Sequence, residues 1–143
     1  NAITNIHIAS SIHDIGKIHI PLELLTKPTK LTDTEKDILK THVEIGCTLI
    51  EDKGFSGSIV EIVRTHHERL NGSGYPQGLK DGEIQLESAI LAVADVFEAM
   101  LSHRSYRPAL GIEAALKEIE DNKGILYHPK VADACLKLFC ARV

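Results

Sequence analysis

ESAILAVADVFEAML, residues 87–101, is apolar on almost every side. A helix that hides all of its faces sits inside a bundle rather than on its surface. This stretch therefore decides the fold class: one all-α domain. In its densest part, from Ala89 to Phe97, stands one carboxylate, Asp95. Taking a free carboxylate out of water costs several kcal/mol or more. Asp95 must find a cation, hydrogen-bond donors or a proton. Backbone amides or an Arg from a neighbouring helix would satisfy it as an ion would.

The flanking sequence reads as further helices joined by short loops, with no alternating strand pattern. Residues 2–14 carry Ile3, Ile6, Ile8, Ala9 and Ile12, a helical stripe that ends at His13-Asp14. Residues 18–30 are loop-like, punctuated by Pro21 and Pro28, with room for a helical turn at 22–25. Thr32 followed by Glu35 is a capping box. It opens a helix whose stripe runs Ile38, Leu39, His42, Ile45, Leu49. Residues 58–68 repeat the pattern with Ile59, Ile62, Val63 and His66. Residues 71–82 are glycine-rich and form a long loop. Gly111 precedes a helix stopped near Gly124, and Pro129 suits the first turn of a last helix. The expectation is a bundle of about six helices with its long loop at 71–82.

Composition narrows the function. A chain of 143 residues with 43% hydrophobic content buries a full core. With 4% aromatics and no Trp, that core is built of Ile, Leu, Val and Ala. A net charge of -4 argues against non-specific nucleic-acid or membrane binding. An anionic ligand would need a local cationic site. Cys47, Cys135 and Cys140 lack paired spacing, so neither a disulfide framework nor a zinc ribbon is indicated. There is no bilayer-length apolar run and no signal peptide, and a reducing, cytoplasmic setting is expected.

Five residues share the oddity of Asp95: His13, Asp14, His42, His66 and His67 join it in a set of six N and O donors suited to first-row transition metals. Each has a plain alternative. His42, on an apolar stripe, reads also as a satisfied core histidine. His66 and His67 would splay across about 100° of one helix, or cap its carbonyls. Asp14 would bridge two cations, or cap a tight turn closed by Gly16. One binuclear centre explains all six positions at once. His7, His19, His103 and His128 lack a partner pattern and read as surface or loop residues.

Four ordered stretches carry a resemblance. HDIGKIHIP at 13–21, KPTKLTDTEKDILKTHVEIG at 27–46, HHERLNGSGYPQGL at 66–79 and VADVFEAMLSHRSYRP at 93–108 resemble the HD-GYP family of bacterial cyclic di-GMP phosphodiesterases. The likeness spans the whole chain. It implies an HD phosphohydrolase bundle, a signalling hydrolase, and the metal ligands His13, Asp14, His42, His66, His67 and Asp95. Asp14 would bridge two divalent ions, iron or manganese. A hydroxide between them would be the nucleophile opening cyclic di-GMP to pGpG, and on to GMP. Lys17 would reach the scissile phosphate, unless it is a solvated loop residue. Tyr75, directed by the Gly72–Gly78 loop, would contact the substrate. Arg104 and Arg107 would take the non-bridging oxygens, unless they serve as helix-end cations.

The resemblance also implies a helix before His13 that adds a metal ligand, and His7 stands too close to His13 to replace it. Residues 1–143 are thus expected to be an HD-GYP domain lacking its first helix or helices, with fewer metals bound and slower turnover than the longer protein. An upstream receiver or sensory domain in cis is expected, and a homodimer is among the expected assemblies. Two other functions fit the same residues: a non-catalytic cyclic di-GMP sensor or docking module, and an HD phosphohydrolase of another nucleotide.

Overall fold

Asn1 starts the first helix: its side chain accepts the Thr4 amide at 3.1 Å, capping α1 (Ala2–Ile12). In the computed structural model the described residues are 1–140, Cys140 by its backbone alone; the Cys140 side chain and residues 141–143 lie outside the description. A 3-10 turn, Ile15–His19, follows α1, and a single helical turn, α2 (Leu22–Leu25), follows that. Then come α3 (Asp33–Lys40), α4 (His42–Asp52), α5 (Gly57–Thr65), α6 (Leu86–Leu101), α7 (Ile112–Asp121) and α8 (Pro129–Cys140). No strand is present among the described residues, and the all-α expectation holds.

Helix α6 is apolar all round because it is packed from two sides. Its Leu91 joins Ala9, Val43, Cys47, Ile50, Ile59, Val60, Ile62 and Val63 in a first core built with α1, α4 and α5. Its Ala89, Val93 and Phe97 join Ala115, Ile119, Tyr127, Val131 and Ala132 in a second core built with α7 and α8. Burial of these side chains drives the assembly, at about 25 cal/mol for each Å² of apolar surface hidden. One strip of α6 escapes: Ala94 is exposed and the Asp95 side chain keeps 20% of its surface. The helix is therefore less enclosed at Asp95 than its composition suggests.

The helix expected from Thr32 to beyond Leu49 is two. The capping box forms as read, with Thr32 and Glu35 bonding each other's backbone amides. At Thr41 both the amide and the hydroxyl donate to the Ile38 carbonyl, at 3.1 and 2.6 Å. That tightens the turn to a three-residue spacing and interrupts the helix at Thr41, so α4 restarts at His42. Likewise α1 stops at Ile12 and α5 at Thr65, leaving His13 and His66 as their terminal caps rather than interior residues.

Candidate metal centre

Three imidazoles are held by one device. The Nδ1–H of His13 donates to the Ser10 carbonyl at 2.8 Å, that of His42 to Leu39 at 2.6 Å, and that of His66 to Val63 at 2.6 Å. A carbonyl only accepts, so in each neutral ring the proton sits on Nδ1 and the Nε2 lone pair is free. The Nε2 atoms of His42 and His66 are buried with no hydrogen-bond partner. A buried polar atom left unpaired costs about 1–3 kcal/mol, and these two face carboxylates instead of solvent.

The elements that bring the six residues together are local. The 3-10 turn packs on α4 because Gly16 has no side chain: a Cβ there would stand 1.8 Å from the His42 carbonyl oxygen. Asp14 is thereby set against His42, with Oδ1 3.5 Å from its Nε2, while Oδ2 lies 3.5 Å from His13 Nε2. The other carboxylate on His13 is Asp95, whose Oδ1 is 3.4 Å from the same nitrogen. Thr65 and Ser88 share a buried hydrogen bond of 2.7 Å, which fixes the end of α5 to α6 immediately before His66. The His66 and His67 rings lie 3.9 Å apart, His13 packs edge-on to His66 and His42 edge-on to His67.

Two overlapping donor groups result. Asp14, His42, His66 and His67 offer one atom each within 4.8 Å of one another, and so do His13, His66 and Asp95. Donors on opposite sides of a cation with bonds of about 2.1 Å stand about 4.2 Å apart, so a slight contraction closes either group on an ion. The donor chemistry and the two orphaned Nε2 atoms fit divalent metals. The electrostatics agree. Although burial pushes the Asp14 carboxyl up, the nearby His42 ring and the Lys17 ammonium bonded to it hold it far below the usual carboxylate range. Asp95 is likewise lowered against its burial, first by His13. The Asp95 contact raises the His13 imidazole. Burial pushes His66 down to about 4 and His67 lower still, so both present neutral nitrogens. His66 belongs to both groups.

The residues expected at the substrate lie around this cluster. Lys17 Nζ bonds Asp14 Oδ2 at 2.8 Å. Lys17, Arg104 and Arg107 line one cleft of about 350 Å³. Arg104 also lines a cleft of about 280 Å³ that exposes His13, Asp14, Asp95 and Glu98. Arg107 is partly committed, donating to the carbonyls of Ala99 and Pro108 at 3.1 and 3.2 Å. Tyr75 is half-buried, stacked on His67 at 4.7 Å and 19°, with Lys40 5.3 Å from its ring. Of the histidines set aside, His7, His19 and His103 are exposed and His128 is half-buried.

Glu68 was not singled out by its sequence. Only 2% exposed, it accepts the amides of Gln77 at 2.7 Å and Leu79 at 2.9 Å. Its place directly after the His pair is the one signal that sequence offers.

Residues 1–131 match the family described as HD domain. The chain belongs to that family. This HD domain is similar to a cyclic di-GMP phosphodiesterase of Thermotoga maritima, 47% identical over 141 residues, covering 95% of this chain and 38% of that protein. It is also similar to the cyclic di-GMP phosphodiesterase response regulator RpfG of Xanthomonas campestris pv. campestris, 43% identical over 136 residues, covering 92% and 35%. In fold it resembles Bd1817, a HDG"Y"P protein from Bdellovibrio bacteriovorus, with a TM-score of 0.74 and 18% identity over 94% of this chain and 42% of that one. The HD domain thus spans little more than a third of the curated relatives it matches. No helix among its described residues is long and apolar enough to cross a membrane.

Proposed function

We propose that this HD domain is the catalytic part of a metal-dependent phosphodiesterase that opens cyclic di-GMP to pGpG, and on to GMP. The observation that carries the reading is the pair of buried, unpartnered Nε2 atoms of His42 and His66, turned toward Asp14 and Asp95. Its relatives' names supply the substrate. His13, Asp14, His42, His66, His67 and Asp95 would hold the ions, with Asp14 shared between two of them, and iron or manganese is the expected metal. Such ions, when bound, polarise a phosphodiester and activate water at neutral pH.

The chain's own residues bind and orient. Arg104 holds a phosphate between the donor cluster and the cationic cleft, a role supported by its lining both clefts. A guanidinium grips two phosphate oxygens at once, and Arg107 adds a second such group for the second phosphate of the ring. Lys17 exchanges its bond to Asp14 for a non-bridging oxygen. Tyr75 contacts the nucleotide with the part of its ring that His67 and Lys40 leave uncovered. Together these cations offset the -4 charge of the chain where the anion enters.

An upstream receiver or sensory domain in the same chain, and a homodimer, complete the proposed assembly. The test is product chromatography with anaerobically purified, metal-loaded protein. Turnover of cyclic di-GMP should be lost in Asp14→Ala and His66→Ala; intact turnover in both overturns the reading. Tight binding without product would assign a sensor, and turnover confined to another nucleotide would assign a different phosphohydrolase.

A further inference from the structure

His67 differs from its three companions in how its ring is held. His13, His42 and His66 are each fixed by an Nδ1–H bond to the carbonyl three residues earlier. No ring hydrogen bond of His67 is present among the described residues; its imidazole is positioned by the rings of His66, Tyr75 and His42, and Tyr75 is the one of these that lies stacked on it, at 19°. An imidazole without a hydrogen bond needs another source of direction if it is to serve as a ligand. Tyr75 in turn sits on a glycine-rich loop that has no helix or strand of its own.

That loop is tied at its ends by Asn71, which accepts the Ser73 amide, and by Glu83, which accepts the Lys80 amide, and in its middle by one buried side chain. Glu68 is the only carboxylate buried among the described residues, and both of its oxygens are spent on loop amides, those of Gln77 and Leu79. Charge-assisted bonds of this kind are about twice as strong as neutral ones. Between the anchors and Tyr75 the fit is close: the Tyr75 amide donates to the His67 carbonyl at 3.3 Å. A Cβ on Gly74 would lie 2.4 Å from both that carbonyl and the Glu68 Cα. The loop therefore lies directly on the backbone of the His pair.

We propose that Glu68 is a positioning residue, which clamps the 71–82 loop so that the Tyr75 ring fixes the direction of the His67 imidazole. The proposal rests on His67 being a metal ligand, as read above. Glu68→Gln keeps one carbonyl oxygen but turns an NH2 toward the second amide, removing one of the two anchors.

In metal-free protein, amide exchange at Gln77 and Leu79 should accelerate about tenfold or more in Glu68→Gln, and the His67 ring resonances should lose the shift imposed by the stacked Tyr75 ring. With cobalt(II) as the probe, the dissociation constant should rise about 10–100-fold, the range seen when a ligand's supporting contact is removed, and the visible spectrum should change. Gly74→Ala, which pushes the loop away and leaves Glu68 intact, should move the same resonances and serves where Glu68→Gln does not fold. Faster exchange with the His67 resonances and cobalt spectrum unmoved would reduce Glu68 to a loop anchor and overturn the proposal. No arm contains cyclic di-GMP, so failure of the phosphodiesterase reading leaves these results standing. A wild type that takes up no cobalt refutes the metal reading, and the resonances alone then judge the clamp.

Discussion

Gly16 and His42 approach so closely that a single methyl group on Gly16 would overlap the His42 carbonyl, at 1.8 Å from its oxygen. The contact is backbone on backbone, so no rotamer change relieves it. Gly16→Ala should cost roughly 3 kcal/mol, the upper end of ordinary overpacking, and should separate Asp14 from His42. Urea unfolding of metal-free protein measures the first effect and metal content the second. Gly57→Ala, where nothing lies within 4 Å at the start of α5, is the control: its stability should stay level or rise by up to about 1 kcal/mol.

His66 stands in both donor groups and His13 in one. His66→Ala should therefore deplete both metal positions, whereas His13→Ala should leave the group of Asp14, His42, His66 and His67 loaded. Elemental analysis of protein purified with manganese distinguishes them. Equal losses in the two variants would contradict the shared role of His66.

How much of this was legible before the structure follows from what kind of contact each feature uses. The helices at 87–101 and after Thr32, Gly111 and Pro129 were legible because periodicity and caps are written in local side chains. The gathering of His13, Asp14, His42, His66, His67 and Asp95 was legible because polar groups on apolar stripes demand partners. The break at Thr41 was not, since the apolar stripe continues through it and the interruption lies in a hydroxyl bonded to the Ile38 carbonyl. Glu68 was hidden because its partners are backbone amides nine and eleven residues away, which leave no pattern in the residue types. The opening at Ala94 and Asp95 was hidden for another reason: composition reports that α6 is packed on two sides, and not that a strip between them stays bare.

Arg104 touches both clefts and makes one long contact, 3.9 Å to Glu98. Arg104→Ala should raise KM for cyclic di-GMP about 10–100-fold, the equivalent of one hydrogen-bonded charge at roughly 1.5–3 kcal/mol, with metal content unchanged. Arg107→Ala should raise KM too, and should also lower stability by about 1 kcal/mol because the Ala99 carbonyl loses its donor. Steady-state kinetics paired with thermal melts separates the two arginines.

Cys47 is 1% exposed in the first core, and burial pushes its thiol up to about 11 from an ordinary 9.0. The folded chain keeps this proton where the unfolded chain has released it. Its contribution to stability is thus complete below pH 9.0 and lost as pH rises toward about 11. Two outcomes are expected. Iodoacetamide at pH 8.5 should leave Cys47 unmodified in native protein and alkylate it in urea, as read by peptide mass. The urea midpoint of the native chain should fall between pH 9 and 10.5, and Cys47→Ala should flatten part of that fall while lowering stability at neutral pH through the lost sulfur packing. Rapid native alkylation of Cys47 at pH 8.5 would show that α4 and α5 part far more readily than their shared core implies.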